Sequence, residues 1–145
     1  MDNFQIRRLR VEDAEEITRI YAEITRRPVE PDFKKVVEEH ALSEDEACFV
    51  AEHEGKVVGF MISYILTAGF GETKSAWIPT LGVSPNFMGQ GIGAGLAKKI
   101  FEIYRAAGIE NVYTTVRWDS TDMLSFFKTL GFDRSNFINL RKVID

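Results

Sequence analysis

The densest chemistry in this chain lies in Leu81 to Leu96, LGVSPNFMGQGIGAGL, where four of its eleven glycines stand at Gly89, Gly91, Gly93 and Gly95. They follow a strand-like run ending at Val83 and precede an apolar helical pattern of Ile92, Leu96, Ile100, Ile103 and Tyr104. Glycine reaches positive φ and admits a ligand close to the backbone, so several N–H groups can converge on one point. The helix behind them adds roughly half a positive charge at its N-terminus. This arrangement predicts the binding of an anion, above all a phosphate. The glycines alone also satisfy a loose dinucleotide pattern, Gly89-x-Gly91-x-x-Ala94. A Rossmann-type nucleotide binder, however, places its glycine turn after the first strand and an acidic residue at the end of the second, and here the turn comes much later. No Gly-Lys-Ser/Thr follows the glycines, which argues against a P-loop.

Other side chains with chemical potential are scattered. Glu72, in the stretch before this strand, is the nearest carboxylate by sequence that could act as a general base, with Asp119 and Asp122 as further candidates. His40 and His53 fall in a predicted helix and a predicted hairpin turn, remote from the glycines, and read as structural or solvated. One cysteine and two separated histidines give no zinc spacing, so no metal is expected. Cys48 lies among Ala47, Phe49 and Val50 and reads as a small core residue. As the only cysteine it excludes an intramolecular disulfide, and a reducing, cytoplasmic compartment fits best.

Such residues need elements to position them, and 145 residues suit a single domain over residues 1–145. A hydrophobic content of 45% is ordinary for a globular protein. A net charge of −4 without a long Lys/Arg run argues against a nucleic-acid partner. No stretch approaches the ~18 apolar residues of a membrane span, and the N-terminus shows no signal-peptide pattern.

Periodicity predicts a strand over Phe4 to Leu9 and a helix over Val11 to Arg26, with Ala14, Ile17, Ile20, Tyr21 and Ile24 on one face and Pro28 as its stop. A second, shorter helix is expected over Asp32 to Leu42. Ala47 to Glu52, the turn His53-Glu54-Gly55-Lys56, and Val57 to Leu66 form a β-hairpin. Thr67 to Lys74, with Gly69 and Gly71, reads as a loop over a substrate site. Ser75 to Val83 is a strand that Pro79 makes irregular. A helix from about Gly91 to Ala107 ends at Gly108. Asn111 to Val116 is a strand parallel to the previous one, because a helix-length crossover joins them. Thr121 to Leu130 is the last helix, and Phe132 with Phe137 to Ile144 is expected to supply a final strand or pair of strands.

Val83-x-Pro85 followed by Gly89-x-Gly91-Ile92-Gly93 and a helix resembles the acetyl-coenzyme A motif of the GNAT family of N-acetyltransferases, written Q/R-x-x-G-x-G/A. Ser125-Phe126-Phe127-Lys128-Thr129-Leu130-Gly131-Phe132 resembles the closing helix of that family, with its F-Y-x-x-x-G-F ending. The element order β-α-α-β-β-β-α-β-α-β(-β) is also that of the family. The resemblance implies an α+β fold: a central mixed, mostly antiparallel twisted sheet flanked by helices. It further implies that the central strand splays from its parallel neighbour, a break that Pro79 and Gly82 suit.

In function the resemblance implies acetyl-coenzyme A as co-substrate and direct attack by an amine in a ternary complex. Leu81, Gly82 and Val83 would border pantetheine, and Met88, Gly89, Gln90, Gly91, Ile92, Gly93 and Ala94 the pyrophosphate. Met88 stands where the family pattern has Gln or Arg. Ser120 aligns with an asparagine that often contacts the cofactor, and Phe126 joins the cofactor-binding set. Phe127 aligns with a tyrosine that often protonates the departing thiolate, a proton Phe127 does not have. Glu72 and Ser120 are the candidate catalytic residues. Asp119, Ser120 and Thr121 also form a good helix N-cap cluster. Protein N-termini, lysines and small amines are all open as acceptors, as is a homodimer. A non-catalytic acyl-coenzyme A binding or sensing module on the same fold is the alternative.

Overall fold

The computed structural model describes residues 4–69 and 72–144, and for residues 68, 69, 72 and 73 the backbone alone. The chain divides into two compact units, Met1–Thr115 and Val116–Asp145. In the first unit the order is β1 (Gln5–Arg8), α1 (Ala14–Thr25), α2 (Phe33–Ala41), β2 (Phe49–His53), β3 (Lys56–Gly69), β4 (Glu72–Val83), α3 (Ile92–Ala106) and β5 (Val112–Thr114). Short 3-10 turns at Val11–Asp13 and Pro85–Phe87 precede α1 and α3. The five strands lie in the order β1-β2-β3-β4-β5. All neighbours are antiparallel except β4 and β5, which run parallel. The mixed, mostly antiparallel α+β class is the one expected.

The period-two alternation of the strands sorts side chains to two faces. Phe60 and Ile62 of β3 join Val50, Cys48, Ile17, Ile20 and Val37 in the core beneath α1 and α2. Ser63 turns the other way, where the Tyr104 hydroxyl of α3 accepts from the Ala47 amide at 2.9 Å and lies 2.6 Å from the Ser63 hydroxyl. Ser63 in turn donates to the Ala47 carbonyl. This closed ring ties α3 to β2 and β3. At the other end of the sheet, Arg7 donates to both Asp13 oxygens at 2.8 Å and to Glu52 at 2.8 Å. Burial alone would raise the Asp13 carboxyl; the hydrogen bonds from Arg7 and from the Arg10 amide outweigh it and hold the group below the usual carboxylate range.

Three expectations need correction. Thr67 to Lys74 is not a loop: Thr67 pairs with Lys74 and Gly69 with Glu72, so β3 and β4 form one long hairpin. Of the two loop glycines, Gly69 ends β3, and Gly71, with Phe70, lies outside the described residues. The strand expected over Asn111 to Val116 is only Val112–Thr114, the three residues that pair with Ala76, Trp77 and Ile78 of β4.

In the second unit α4 spans Thr121–Thr129, and no strand follows it among the described residues. The apolar run expected as the final strand leaves Ile138, Leu140 and Ile144 exposed, at 83%, 83% and 89%. Alternation alone does not make a strand; a neighbour must take its backbone groups, and no such ladder forms here.

Candidate functional site

β4 is the element that shapes the site, because its two halves are paired differently. Ala76, Trp77 and Ile78 pair with β5 on one side, at Val112, Tyr113 and Thr114. On the other side the β3 register shifts, so that Ile62 faces Thr80 while Tyr64 faces Trp77. Ile78 and Pro79 together therefore oppose Ser63 alone, which is a β-bulge. Proline has no N–H for a ladder, which explains why the irregularity falls at Pro79. The Thr114 hydroxyl donates to the Ile78 carbonyl at 2.7 Å and closes the β4–β5 pairing at that point.

Beyond the bulge β4 keeps, among the described residues, only its β3 neighbour. The Ser84 amide donates to the Val58 carbonyl at 2.8 Å. Alternation then turns the backbone groups of Gly82 and Thr80 toward β3, and those of Leu81 and Val83 toward the edge that β5 has left. Gly82 permits the close packing beneath: a Cβ there would lie 2.7 Å from Ile24 Cδ1 and 2.8 Å from the Phe60 ring.

This open edge runs directly into the glycine turn. Gly89 and Gly91 both have positive φ, 80° and 81°, and both are exposed. Gly91 is the N-cap of α3, and no side chain caps that helix end. The first intrahelical bond is Gly95 N–H to Gly91 C=O at 3.0 Å, so the amides of Ile92, Gly93 and Ala94 precede it at the positive end of a fifteen-residue helix. Gly95 serves packing instead, since a Cβ there would meet Ile6 Cδ1 at 2.9 Å. Met88 is 56% exposed beside the turn and Gln90 is exposed as well.

The open edge and the amide cradle fit an extended amide-bearing arm followed by a pyrophosphate. Leu81 and Val83 are thus followed by the exposed turn of residues 88–91 and the first amides of α3, whereas Gly82 and the Ile92 side chain, both expected at the cofactor, are buried. Ser120 and Phe126 belong to the second unit. There Ser120 is the N-cap of α4 but makes no side-chain capping bond, so the hydroxyl is not spent on that role. Phe127 is 4% exposed, with its ring edge-on to Phe126 at 5.2 Å and to Phe132 at 5.0 Å. Asp119 is held by Arg117 in two 3.0 Å hydrogen bonds, which keep its carboxyl below the ordinary range and disfavour it as a base. Glu72 opens β4, and its side chain lies outside what the structure describes.

Cys48 is a core thiol as expected: burial pushes it up to about 11, and it donates to the Ser63 carbonyl at 3.2 Å. His53 is less remote from the glycine turn than expected. His53 packs its ring 5.1 Å from Phe87, next to the glycine turn, because the β2–β3 turn and the end of β4 share one sheet end. His40 meets Glu46 at 2.9 Å, with its ring 6.4 Å from that of Tyr64. A row of three aromatic residues, Tyr64, Trp77 and Tyr113, escaped sequence reasoning altogether. They come from three strands and share a face only through register.

The acetyltransferase (GNAT) family model matches residues 14–132, and the chain belongs to that family. Over 98 residues it is 30% identical to an uncharacterized N-acetyltransferase of Methanocaldococcus jannaschii, covering 66% of this chain and 42% of that relative. Over 89 residues it is 32% identical to the mycothiol acetyltransferase of Saccharomonospora viridis, covering 59% of this chain and 29% of the relative. The chain thus spans less than half the length of these two curated relatives. Among solved structures it resembles an aminoglycoside acetyltransferase from an uncultured soil metagenomic sample, with a TM-score of 0.80 and 23% identity, covering 99% of this chain and 97% of the other. It also resembles the aminoglycoside N-acetyltransferase AAC(6')-Iy in complex with CoA, with a TM-score of 0.81 and 16% identity over 97% and 94% of the two chains. At these identities the likeness is one of fold.

Proposed function

We propose that this chain is an acetyl-coenzyme A-dependent N-acetyltransferase acting on a primary amine, with both substrates bound together and the two units forming one domain. The observation that carries the reading is the opened β4 edge at Leu81 and Val83 leading into the uncapped N-terminus of α3. Bound there, acetyl-coenzyme A supplies an acyl thioester; the acceptor amine gains the acetyl group and coenzyme A leaves as the thiol.

The residues of the chain have three tasks in this scheme. Leu81 and Val83 hold the pantetheine arm by backbone hydrogen bonds, which aligns its end with the bulge at Pro79. The amides of Gly89 to Ala94 neutralise the pyrophosphate together with the helix dipole. Because these contacts are made by backbone, Met88 in the Gln/Arg position reshapes the site without abolishing it. The third task is to make the amine neutral. For a lysine-like amine of pKa ~10.4 this costs about 4–5 kcal/mol at pH 7, and for an α-amine of pKa ~8 about 1–1.5 kcal/mol. Glu72 is the first carboxylate to test for it, and Ser120 the first hydroxyl to test for contact with the cofactor.

Isothermal calorimetry with coenzyme A, followed by thiol release from acetyl-coenzyme A across an amine panel, tests the reading. Saturable binding that Gly91→Val removes supports it; unchanged affinity in that variant overturns it. The second reading, a non-catalytic acyl-coenzyme A sensor, rests on Phe127, which has no proton to give and is packed between two other rings. Binding without thiol release for any amine, with release appearing in Phe127→Tyr, would favour the sensor.

A further inference from the structure

The paired half of β4 carries a feature that the cofactor does not use. Tyr64, Trp77 and Tyr113 lie opposite one another across β3, β4 and β5, and all three are half-buried. The Trp77 and Tyr113 rings stack with centroids 5.0 Å apart. Phe60, Ile62 and Tyr64 alternate onto the face covered by α1 and α2, and the contact of His40 with Tyr64 places the row on that face. Trp77 precedes Leu81 by four residues, so the row ends about 10–13 Å along the strand from the opened edge.

The charge of the chain is sorted in the same way. Residues 12–46, which contain α1, α2 and the Glu44-Asp45-Glu46 run, hold twelve acidic and five basic side chains. The remaining residues hold ten acidic and thirteen basic ones. The small net charge therefore conceals an acidic segment, whose helices α1 and α2 cover the face of the sheet that carries the aromatic row, and a remainder with a slight basic excess. Such a field draws an anion and a cation to different parts of one molecule. Electron-rich ring faces on the side of the sheet that the acidic segment covers suit an ammonium group.

Building on the acetyltransferase reading, we infer that the Tyr64, Trp77 and Tyr113 row is an acceptor platform, and that the acceptor is a small polycationic amine. One ammonium rests on the rings, within the acidic field of the α1–α2 segment, while a second amino group of the same molecule reaches toward the bulge. The rings position the acceptor and take no part in bond making.

The test uses a matched pair of probes, 1,6-diaminohexane and 6-amino-1-hexanol, which differ by one ammonium group. The two tryptophans of the chain are Trp77 and Trp118, so Trp118→Phe leaves Trp77 as the only indole reporter. Fluorescence titration of that protein, with and without coenzyme A, should show the diamine binding about 3–30-fold more tightly than the amino alcohol. Tyr113→Leu and Tyr64→Leu, each checked for an unchanged melting transition, should remove this preference. In both, coenzyme A affinity by calorimetry should stay as in the parent. Equal affinity for the two probes, no saturable response to the diamine, or a preference that survives both variants overturns the inference. Failure of coenzyme A to bind the parent protein would instead sink the acetyltransferase reading, since the diamine preference is read without it.

Discussion

The two halves of β4 have the same backbone chemistry and different fates. At Ala76 and Trp77 the strand is paired on both sides, and the Trp77 side chain forms part of a stacked aromatic row. From Thr80 to Val83 it is paired, among the described residues, on one side only, and the backbone groups of Leu81 and Val83 face the open edge. One bulged proline separates the two. A strand that is fully paired can offer a ligand only its side chains, whereas a strand released from a neighbour offers N–H and C=O groups in regular alternation. Both kinds of surface lie a few residues apart, which suits a reaction in which two dissimilar substrates must meet.

The comparison can be broken most severely at the turn that the released half leads into. Gly91 has a φ of 81°, which a β-branched side chain adopts only with strain. Gly91→Val is expected to weaken coenzyme A binding by roughly a hundredfold or more by calorimetry, through strain of 1–3 kcal/mol and misaligned amides.

A reference perturbation away from β4 should damage folding and leave the contrast intact. Asp13 is 5% exposed and is bound by Arg7, so Asp13→Asn should cost about 3 kcal/mol in urea denaturation. The sign with pH follows from the lowered carboxyl. Its stabilisation is complete above the unfolded value of ~4 and is lost as pH falls through the lower folded value. The variant should therefore show a shallower acid loss than the parent, visible in melting curves taken from pH 6 down to about pH 2.

Tyr104→Phe should cost about 1–2 kcal/mol by thermal melting, because the Ala47 amide loses its acceptor and the Ser63 hydroxyl its partner. α3 would then be held less firmly against the sheet while its N-terminal amides stay unaltered, so coenzyme A affinity should drop less than stability does.

The smallest effect, and the sharpest test of the comparison, is expected at the boundary itself. Pro79→Ala restores an N–H and lets β4 extend its pairing past Ile78. A coenzyme A affinity lowered severalfold, with the melting temperature unchanged or slightly raised, would show that the opened edge matters; unchanged affinity would remove the bulge from the argument.

Much of this was legible from residue order. α1, α2, α3 and α4 appear within a few residues of their expected bounds, because each has an apolar stripe at the helical period and a recognisable stop. The strand, glycine turn and helix of the candidate site were visible for the same local reason, and Pro79 marked the bulge. One loop expectation and one strand expectation failed through partners that periodicity does not specify. Thr67 to Lys74 looked like a loop because of its glycines but is continued by mutual pairing. The run from Phe137 to Ile144 looked like a strand but has no ladder.

What the sequence determined by itself are properties set within a few residues: the helices, the positive-φ glycines at Gly89 and Gly91, the helix N-terminus that follows them, and the absence of a proton at Phe127. Only the tertiary structure decided what depends on residues far apart in the chain. Register placed Tyr64, Trp77 and Tyr113 side by side from positions nearly fifty residues apart. It also put His53 against Phe87 and set the point where β5 leaves β4. The physical reason is that a backbone conformation is fixed by local sterics and hydrogen bonds, whereas a β-ladder is fixed by which distant strand buries the complementary face.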